Sequence, residues 1–402
     1  MKKVLALILA GGKGERLYPL TRDRTKPAVP FGAIYRIIDF TLSNCINSNL
    51  RKIYILSQYK SLSLNRHIQL GWNILSSTLG EFITVVPAQQ RVNEQWYEGT
   101  ADAIYQNIYL LQKDQPDLLL ILSGDHVYKM DYREMINFHL EKGADATVAT
   151  AEMDKGLSKE FGVIEIDDDY RVTGFHEKPD YPKTVPAKPD KILASMGIYV
   201  FNTEILVRKL IEDAKKNTAH DFGKNILPTM VNKNRVFSYN CKNEKGEACY
   251  WRDVGAIETY FESNMDLVSV SPLLNLYDPE WPIHTYHSPF PPAKTILNDE
   301  GGRRGSALEP IISGGCILSG GEVRRSLLSP NVRIESFAKV EDSILLEGVR
   351  VGEQVRIRRA IIDKESEIPP GMQIGYNMEE DTKRFTVTES GIVVVPKGFR
   401  AR

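Results

Sequence analysis

The chain has 402 residues, more than one hydrophobic core usually holds, so we expect two domains. Hydrophobic residues make up 42% and charged residues 26%, which is typical of a soluble globular protein. The 51 basic and 52 acidic residues give a net charge of -1, which argues against a nucleic acid as the main partner. No apolar run reaches the roughly 18 residues that a membrane span needs, so we expect no membrane partner.

The amino terminus and the cysteines both indicate a cytoplasmic protein. The apolar residues after Lys2-Lys3 superficially resemble a signal peptide, but glycines and charges follow them where a cleavage site of small residues would stand. The four cysteines, Cys45, Cys241, Cys249 and Cys316, lack metal-ligand spacing. We therefore predict reduced thiols and a cytoplasmic location.

A short apolar run, Val4 to Ala10, leads directly into a glycine-rich turn that contains Gly11, Gly12 and Gly14. Glycines let backbone N–H groups approach a phosphate closely, and Arg16 and Lys26 could add positive charge. The turn lacks the complete strings of the two commonest phosphate-binding motifs. A plain turn is therefore the alternative to a phosphate-binding loop.

Residues 1–268 alternate apolar runs with helical patterns, which predicts an α/β domain with a parallel sheet covered on both faces. In such sheets the ligand lies beyond the carboxyl ends of the strands, where Gly11–Gly14 and Gly124-Asp125 fall. The predicted strands are Val4–Leu9, Lys52–Leu56, Phe82–Val86, Leu118–Leu122 and Ala146–Ala151, and the predicted helices are Asp39–Asn49, Thr100–Gln112 and Asp131–Lys142.

Two aspartates are candidate metal ligands. Asp125 ends an apolar strand, where a carboxylate suits Mg²⁺ and a bound phosphate, although an Asp that caps the next turn is an equal alternative. Asp253 lies in Tyr250–Gly255, where a turn or a salt bridge to Arg252 explains it at least as well.

Two further segments carry groups that suit a sugar phosphate or a nucleotide. Lys178, held by the following proline, is a fixed cation suited to a phosphate monoester, and an ordinary exposed hairpin is the alternative. Before the predicted helix at Thr100, amide and aromatic side chains could read a base edge, and the helix start could place N–H groups near a phosphate. Helix capping by Thr100 explains the Gly99-Thr100 pair equally well.

The last third of the chain differs from the rest in its proline content and in the spacing of its apolar residues. Residues 269–294 are rich in proline, which predicts an interdomain linker. In residues 295–402 apolar side chains recur every six positions, in the rows Val349, Val355, Ile361 and Val332, Ala338, Ile344. This spacing predicts a parallel β-helix of about five coils, with an ordinary small β domain as the alternative.

Taken in order, the motifs resemble those of the bacterial glucose-1-phosphate adenylyltransferases, or ADP-glucose pyrophosphorylases, and the resemblance spans essentially the whole chain. The matching segments are Gly-Gly-x-Gly-x-Arg-Leu, Lys-Pro-Ala, Tyr-Arg-Ile-Ile-Asp-Phe, Gly-Thr-Ala-Asp-Ala, Gly-Asp-His-Val-Tyr-Lys-Met-Asp-Tyr, Glu-Lys-Pro, Ala-Ser-Met-Gly-Ile-Tyr-Val-Phe, His-Asp-Phe-Gly and Trp-Arg-Asp-Val-Gly. The resemblance implies a Rossmann-like nucleotidyltransferase domain followed by a left-handed β-helix.

The resemblance also implies a reaction, in which ATP and α-D-glucose 1-phosphate give ADP-glucose and diphosphate for glycogen synthesis. It implies Mg²⁺ held by Asp125 and Asp253, and a catalytic role for Arg16, Lys26 and Asp125. Glucose 1-phosphate would contact Tyr97, Gly162, Glu177, Lys178 and Ser195. The nucleotide would contact Gly11, Gly12, Gly14, Gln90, Gly99 and Thr100, with Gln58 and Trp96 linked to communication with a regulatory site.

Regulation and assembly are further implications of the resemblance. It implies a homotetramer and phosphorylated-sugar or AMP effectors, with Arg24 as a candidate effector residue. The chain departs from the family pattern at Phe31-Gly32-Ala33-Ile34 and at the acidic Asp23, both in the activator region. Two other functions remain open, a UTP- or dTTP-dependent nucleotidyltransferase and a non-catalytic regulatory relative that binds sugar nucleotides.

Overall fold

The computed structural model describes residues 2–89, 96–186, 188–242, 246–297, 299 and 303–401. The chain divides into two compact units. The first unit comprises Met1–Gly12, Phe40–Ser61 and Trp72–Trp251, and the second comprises Lys13–Asp39, Leu62–Gly71 and Arg252–Arg402. Among the described residues, no helix has both the length and the apolar character needed to cross a membrane.

The amino-terminal two thirds of the chain contain thirteen strands and eight α-helices among the described residues. The strands are β1 (Val4–Ala10), β2 (Pro30–Phe31), β3 (Tyr35–Arg36), β4 (Lys52–Ser57), β5 (Phe82–Pro87), β6 (Leu118–Ser123), β7 (His126–Tyr128), β8 (Ala146–Asp154), β9 (Gly162–Ile166), β10 (Val172–Glu177), β11 (Lys191–Asn202), β12 (Val236–Asn240) and β13 (Trp251–Asp253). The helices are α1 (Ile37–Asn47), α2 (Leu62–Gly71), α3 (Thr100–Tyr105), α4 (Ile108–Asp114), α5 (Tyr132–Glu141), α6 (Thr203–Asp213), α7 (Leu227–Val231) and α8 (Ile257–Asp266). Short 3₁₀ turns lie at Glu15–Leu17, Lys26–Ala28, Ser77–Leu79 and Lys155–Leu157, and a π-helical turn lies at Phe222–Ile226.

A nine-stranded sheet forms the core of the first unit, in the order β10-β9-β11-β6-β1-β4-β5, with β8 joining β11 to β12. The strands β5, β4, β1 and β6 are parallel, whereas β11 is antiparallel to β6, β8 and β9. Strand β1 is apolar along its whole length because both faces of a central parallel strand are covered. The predicted α/β fold with parallel strands in its sheet is confirmed, and the strand pairings described here are half parallel and half antiparallel.

One predicted helix is divided in two. The pattern over Thr100–Gln112 predicted a single helix, but α3 ends at Tyr105 and α4 begins at Ile108. Between them, the Asn107 amide donates hydrogen bonds to the Ala103 carbonyl and to the Tyr97 hydroxyl. Asparagine side chains compete with helical hydrogen bonds in this way, so the helix breaks where Asn107 holds Tyr97.

The carboxyl-terminal part of the second unit is a parallel β-helix with three sheet faces. Its strands are β14 (Lys294–Ile296), β15 (Ser306–Leu308), β16 (Ile311–Ile312), β17 (Ile317–Ser319), β18 (Glu322–Arg324), β19 (Leu327–Leu328), β20 (Arg333–Ile334), β21 (Lys339–Glu341), β22 (Ile344–Leu345), β23 (Arg350–Val351), β24 (Arg356–Arg358), β25 (Ala360–Ile362), β26 (Glu367–Ile368), β27 (Gln373–Ile374), β28 (Thr386–Val387) and β29 (Val393–Val395), with helix α9 (Met378–Arg384) inserted before β28.

The repeat of the β-helix follows from its register. Val323, Val340, Ile357 and Ile374 pair in one column, so the chain returns to the same face after 17 residues. A six-residue step, as from Val349 to Val355, moves to the next face, and these side chains are fully buried. The predicted hexapeptide β-helix is confirmed, and its inward residues form the apolar core.

The prediction of four reduced thiols is wrong for one pair, because Cys241 and Cys249 form a disulfide. Lys242 and Ala248 form an antiparallel bridge beside the two cysteines, whose Cα atoms lie 5.6 Å apart, within disulfide range. Cys45 and Cys316 are free thiols, and burial raises the pKa of both. The location of the protein stays a prediction.

A thiol assay in denaturant tests this pairing. Protein that is purified without reductant and then unfolded should show two reactive thiols per chain, and four when it is reduced before the assay. The C241S/C249S variant should show two under both conditions. Four thiols in the unreduced parent protein would contradict the disulfide.

Candidate active site

The carboxyl ends of β1 and β6 meet at a close backbone contact in the first unit. Gly124 donates its N–H to the Leu9 carbonyl at 3.0 Å, and a Cβ at Gly124 would lie 3.0 Å from the Ile8 side chain. Glycine therefore eases the close approach of this strand end to β1, since a larger residue would need Ile8 to shift slightly. The next residue, Asp125, is partly exposed, and its carboxylate accepts a hydrogen bond from the Ser123 hydroxyl.

Gln58 joins the glycine turn to the segment that carries Tyr97. Because Ala10 pairs with Ser57, Gly11 lies beside Gln58, and a Cβ at Gly11 would be 3.3 Å from the Gln58 Cβ. The Gln58 side chain accepts a hydrogen bond from the Tyr97 N–H at 2.9 Å and donates to the Tyr97 carbonyl at 3.5 Å. Gln58 thus fixes the backbone at Tyr97, and burial raises the pKa of the Tyr97 hydroxyl.

The start of α3 is tied to the turn at His220–Asp221. A Cβ at Gly99 would lie 2.2 Å from the Ala219 carbonyl oxygen, so no side chain fits there. The Thr100 hydroxyl donates to Asp221 and accepts from the Phe222 N–H. Thr100 therefore docks α3 on this turn without capping its own helix, and the predicted nucleotide-binding role of Gly99 and Thr100 stays a prediction.

Glu177 and Lys178 lie at the end of β10, next to two glycines. A Cβ at Gly162 or at Gly223 would lie 3.1 or 3.2 Å from the Glu177 carboxylate, so both glycines keep space for this side chain. Desolvation raises the pKa of Glu177, and Lys178 opposes the shift. Lys178 has φ +52°, an unfavourable conformation for a non-glycine residue that often marks functional positions. Its N–H donates to the Phe161 carbonyl at 3.1 Å.

Ser195 lies in an irregularity of β11. The pairs Ser195–Thr150 and Tyr199–Val148 enclose two extra residues on β11, so the strand bulges there. Gly197, with φ +66°, occupies the bulge beside His126. The Ser195 side chain is half-buried and hydrogen-bonded to the hydroxyl of Tyr199, whose pKa is raised by burial.

The second unit brings the predicted cations together with one predicted metal ligand. The Lys26 ammonium lies 2.7 Å from one Asp253 carboxylate oxygen, and an Arg16 guanidinium nitrogen lies 4.0 Å from the other. Lys26 is buried, whereas the Arg16 side chain is 70% exposed. Gly14, with φ +65°, makes the turn that packs against the Lys26 Cβ, and a Cβ at Gly255 would lie 2.8 Å from Arg16.

The two aspartates suit the predicted Mg²⁺ by the chemistry of their donors. Mg²⁺ prefers carboxylate oxygens and is usually held by one or two of them together with substrate phosphates. Asp125 offers a partly exposed carboxylate at a strand end. The Asp253 carboxylate lies beside Lys26 and Arg16. A nucleotide phosphate would be a second negatively charged partner for these two cations. Both residues therefore fit the ion.

The predicted effector residue Arg24 makes a buried ion pair within the second unit. Both terminal guanidinium nitrogens of Arg24, Nη1 and Nη2, donate to the Asp363 carboxylate at 3.0 to 3.1 Å. Both side chains are at most 5% exposed. The pair ties residues 13–39 to the β-helix. The guanidinium of Arg24 is thus already engaged by a carboxylate.

A separate cavity of about 240 Å³ lies in the same unit and is lined by two cations. Arg36 and Lys364 carry the positive charge, and Lys364 pairs with Glu347 at 2.5 Å. Desolvation and the neighbouring Arg36 lower the pKa of Lys364. Five ring side chains also line the wall, Tyr35, His67, Tyr286, His287 and Phe290. Sequence reasoning did not identify this cavity, since its wall comes from seven separated stretches of the chain.

The predicted site residues divide between the units. The first unit holds Gly11, Gly12, Gln58, Trp96, Tyr97, Gly99, Thr100, Asp125, Gly162, Glu177, Lys178 and Ser195, and the second holds Gly14, Arg16, Arg24, Lys26 and Asp253. Trp96 is half exposed and stacks on Tyr59. Gln90 lies outside the described residues. Sequence reasoning gave no role to His126, Asn107 or Asp221, although two of these lie in the matching motifs.

Replacing Arg24 with alanine tests whether its role is structural. Arg24→Ala would leave Asp363 buried without its partner, which costs about 3 to 5 kcal/mol. The urea midpoint of unfolding should fall clearly, whereas the exposed Arg22→Ala should change it little. Arg24→Met combined with Asp363→Leu should recover most of the loss. An Arg24→Ala variant as stable as the parent would contradict this role.

Comparison with known proteins identifies the family. The sequence model described as "Nucleotidyl transferase" matches residues 5–270, and the one described as "GlmU-like, C-terminal hexapeptide" matches residues 291–395. The chain is 54% identical to a glucose-1-phosphate adenylyltransferase of Koribacter versatilis, over 99% of this chain and 96% of the relative. It is 52% identical to the proteins of that name from Rhodopirellula baltica and Methylococcus capsulatus, over 99% and 98% of this chain and 91% and 93% of the relatives.

These matches cover nearly the whole chain, and the resemblance inferred from the motifs is confirmed. This protein belongs to the glucose-1-phosphate adenylyltransferase family of nucleotidyltransferases.

Proposed function

We propose that this protein is an enzyme that converts ATP and α-D-glucose 1-phosphate to ADP-glucose and diphosphate for glycogen synthesis. The observation that carries the proposal is the group of Arg16, Lys26 and Asp253 at the Gly14 turn. Burial of an ammonium group costs free energy that an ion pair with a carboxylate offsets only in part, so a buried lysine such as Lys26 indicates a functional role. The names of the relatives supply the substrates.

The reaction requires positioning and charge neutralisation more than covalent help from the protein. A phosphate oxygen of glucose 1-phosphate attacks the α-phosphorus of ATP, and the bond from that phosphorus to the bridging oxygen breaks as diphosphate leaves. Arg16 and Lys26 are proposed to stabilise the charge that develops on the leaving diphosphate. The exposed Arg16 side chain is free to move toward a nucleotide, whereas Lys26 is held in place.

The sugar phosphate is assigned to the group around Glu177 and Lys178. Lys178 would bind the phosphate, and the Glu177 carboxylate between Gly162 and Gly223 would accept hydrogen bonds from sugar hydroxyls. Tyr97 and Ser195 complete the proposed pocket. Mg²⁺ bound by Asp125 and Asp253 would supply neutralisation of the phosphate charge. No heavy atom outside the neighbouring residues lies within 4 Å of the position that a Cβ at Gly12 would occupy, so the glycine turn leaves room for a phosphate.

Two other functions are outcomes of the test. The glycine turn suits any nucleoside triphosphate, so UTP or dTTP could replace ATP. A non-catalytic relative would be expected to lose a metal-binding aspartate or a phosphate-binding cation, but this chain retains Arg16, Lys26, Asp125, Lys178 and Asp253.

A nucleotide panel tests the assignment. With glucose 1-phosphate and Mg²⁺, diphosphate release should be much faster with ATP than with UTP or dTTP. Asp125→Asn should lower kcat by at least about 100-fold because a charge-neutralising interaction in the transition state is lost. Asp117→Asn, which changes an exposed carboxylate, should leave the rate near that of the parent. Faster release with UTP, or full activity in Asp125→Asn, would overturn the proposal.

We also propose that a small phosphorylated effector binds the cavity lined by Arg36 and Lys364. The two cations suit a phosphate, and an aromatic wall suits a sugar ring or a base. Arg24, engaged with Asp363, is proposed to hold the segment in place and to make no direct effector contact. A homotetramer and a cytoplasmic location remain proposals that rest on the family resemblance.

Effector assays test the cavity. The rate is measured with fructose 1,6-bisphosphate, fructose 6-phosphate, 3-phosphoglycerate and AMP, and the half-saturating concentration is determined for any that act. Lys364→Ala should raise that concentration by roughly 10-fold or more, because a charge-assisted hydrogen bond contributes about 1.5 to 3 kcal/mol. Lys339→Ala, an exposed lysine on the β-helix, is the matched control. An unchanged response in Lys364→Ala would exclude this cavity.

A further inference from the structure

His126 lies immediately after Asp125 and takes part in a connected set of aromatic contacts in the first unit. The Trp251 indole N–H lies 3.3 Å from His126 Nδ1, and the two rings meet edge-on with centroids 5.3 Å apart. Trp251 is buried, and its ring packs against Phe161 at 5.0 Å. His126 is itself mostly buried, so its ring is held on a defined side of Asp125.

The contact with Trp251 determines which nitrogen of His126 carries the proton. An indole N–H can only donate, so Nδ1 must accept. A neutral imidazole with an accepting Nδ1 carries its proton on Nε2. His126 Nε2 lies 3.7 Å from the Asp125 carboxylate oxygen that also accepts from the Ser123 hydroxyl. The N–H dipole therefore acts on that oxygen.

We propose that His126 is a positioning residue that, held in one tautomer by Trp251, orients the Asp125 carboxylate for the metal. The inference rests on the proposed function, in which Asp125 binds Mg²⁺. Partners of this kind usually fix the orientation of a ligand, and their loss typically lowers metal affinity or activity by about 10- to 100-fold.

The same contacts connect His126 to the proposed sugar-phosphate group. Phe161, which packs on Trp251, accepts the N–H of Lys178 through its carbonyl oxygen and precedes Gly162. Trp251 also lies two residues before Asp253 in β13. Because a change at Trp251 could act through any of these contacts, the test uses Trp251→Phe, which keeps an apolar ring against Phe161 and removes the N–H that His126 accepts.

The experiment measures binding of Mn²⁺ alone, by electron paramagnetic resonance, to the full-length parent protein and its variants. His126→Ala should weaken Mn²⁺ binding by about 10- to 100-fold and lower kcat by a similar factor, with little change in the KM for glucose 1-phosphate. His126→Gln keeps an N–H donor and should recover most of the affinity. Trp251→Phe should show a smaller loss, and adding it to His126→Ala should cause no further loss because both act through one contact.

The outcomes separate this inference from the proposed function. Asp125→Asn is the reference variant. If Asp125→Asn weakens Mn²⁺ binding but His126→Ala and Trp251→Phe do not, the positioning role is wrong and the proposed function stands. Additive losses of Mn²⁺ affinity in the variant that combines His126→Ala with Trp251→Phe would also overturn the positioning role. If Asp125→Asn leaves Mn²⁺ binding unchanged, Asp125 is not the metal ligand and both proposals fall. Should His126→Ala fail to fold, His126→Gln and Trp251→Phe decide.

Discussion

The hydrogen bond from the Gly124 N–H to the Leu9 carbonyl sets the position of the acidic residue on which the first unit's site depends. Parallel strands end at a common edge, so β1 delivers its glycine turn where β6 delivers Asp125. A side chain at position 124 would crowd this contact, since its Cβ would lie 3.0 Å from the Ile8 side chain. The same edge receives Gln58 from β4, and through it the backbone at Tyr97. The register of the sheet thus places three candidate segments, the glycine turn, Asp125 and Gln58, at one edge.

The second unit holds a buried cation, Lys26, which is proposed to meet a phosphate. A buried ammonium needs a partner, and Asp253 provides it for Lys26. Arg16 remains largely exposed and makes only a loose contact at 4.0 Å with the same carboxylate. An arriving triphosphate would compete for both cations without first breaking an optimised bidentate pair. The contrast with Arg24 is informative, because its bidentate pair with Asp363 is fully buried and has no such freedom.

The sequence was sufficient for features that are local or periodic. The apolar run of β1, the glycine turn and the six-residue rows of the β-helix each follow from neighbours in the chain, and all are found. It was insufficient for contacts between distant segments. Asp253 lies 227 residues from Lys26, so its sequence neighbour Arg252 was the natural but incomplete explanation. The disulfide was missed because a separation of eight positions between two cysteines is not a recognised spacing. The helix break at Asn107 depends on a hydrogen bond to the Tyr97 hydroxyl, and the spacing of apolar residues in the sequence does not predict such a contact.

A common pattern connects the residues that the sequence did not reveal. Asn107 and Asp221 each use a side-chain donor or acceptor to fix a neighbour that was already a candidate, Tyr97 and Thr100 respectively, and His126 is proposed to do the same for Asp125. Their chemistry is ordinary, so no motif distinguishes them from surface polar residues. What distinguishes them is that their hydrogen-bonding groups are directed inward at the site. A positioned carboxylate or tyrosine loses less conformational entropy when a ligand arrives, so these supporting residues contribute to affinity without touching the ligand.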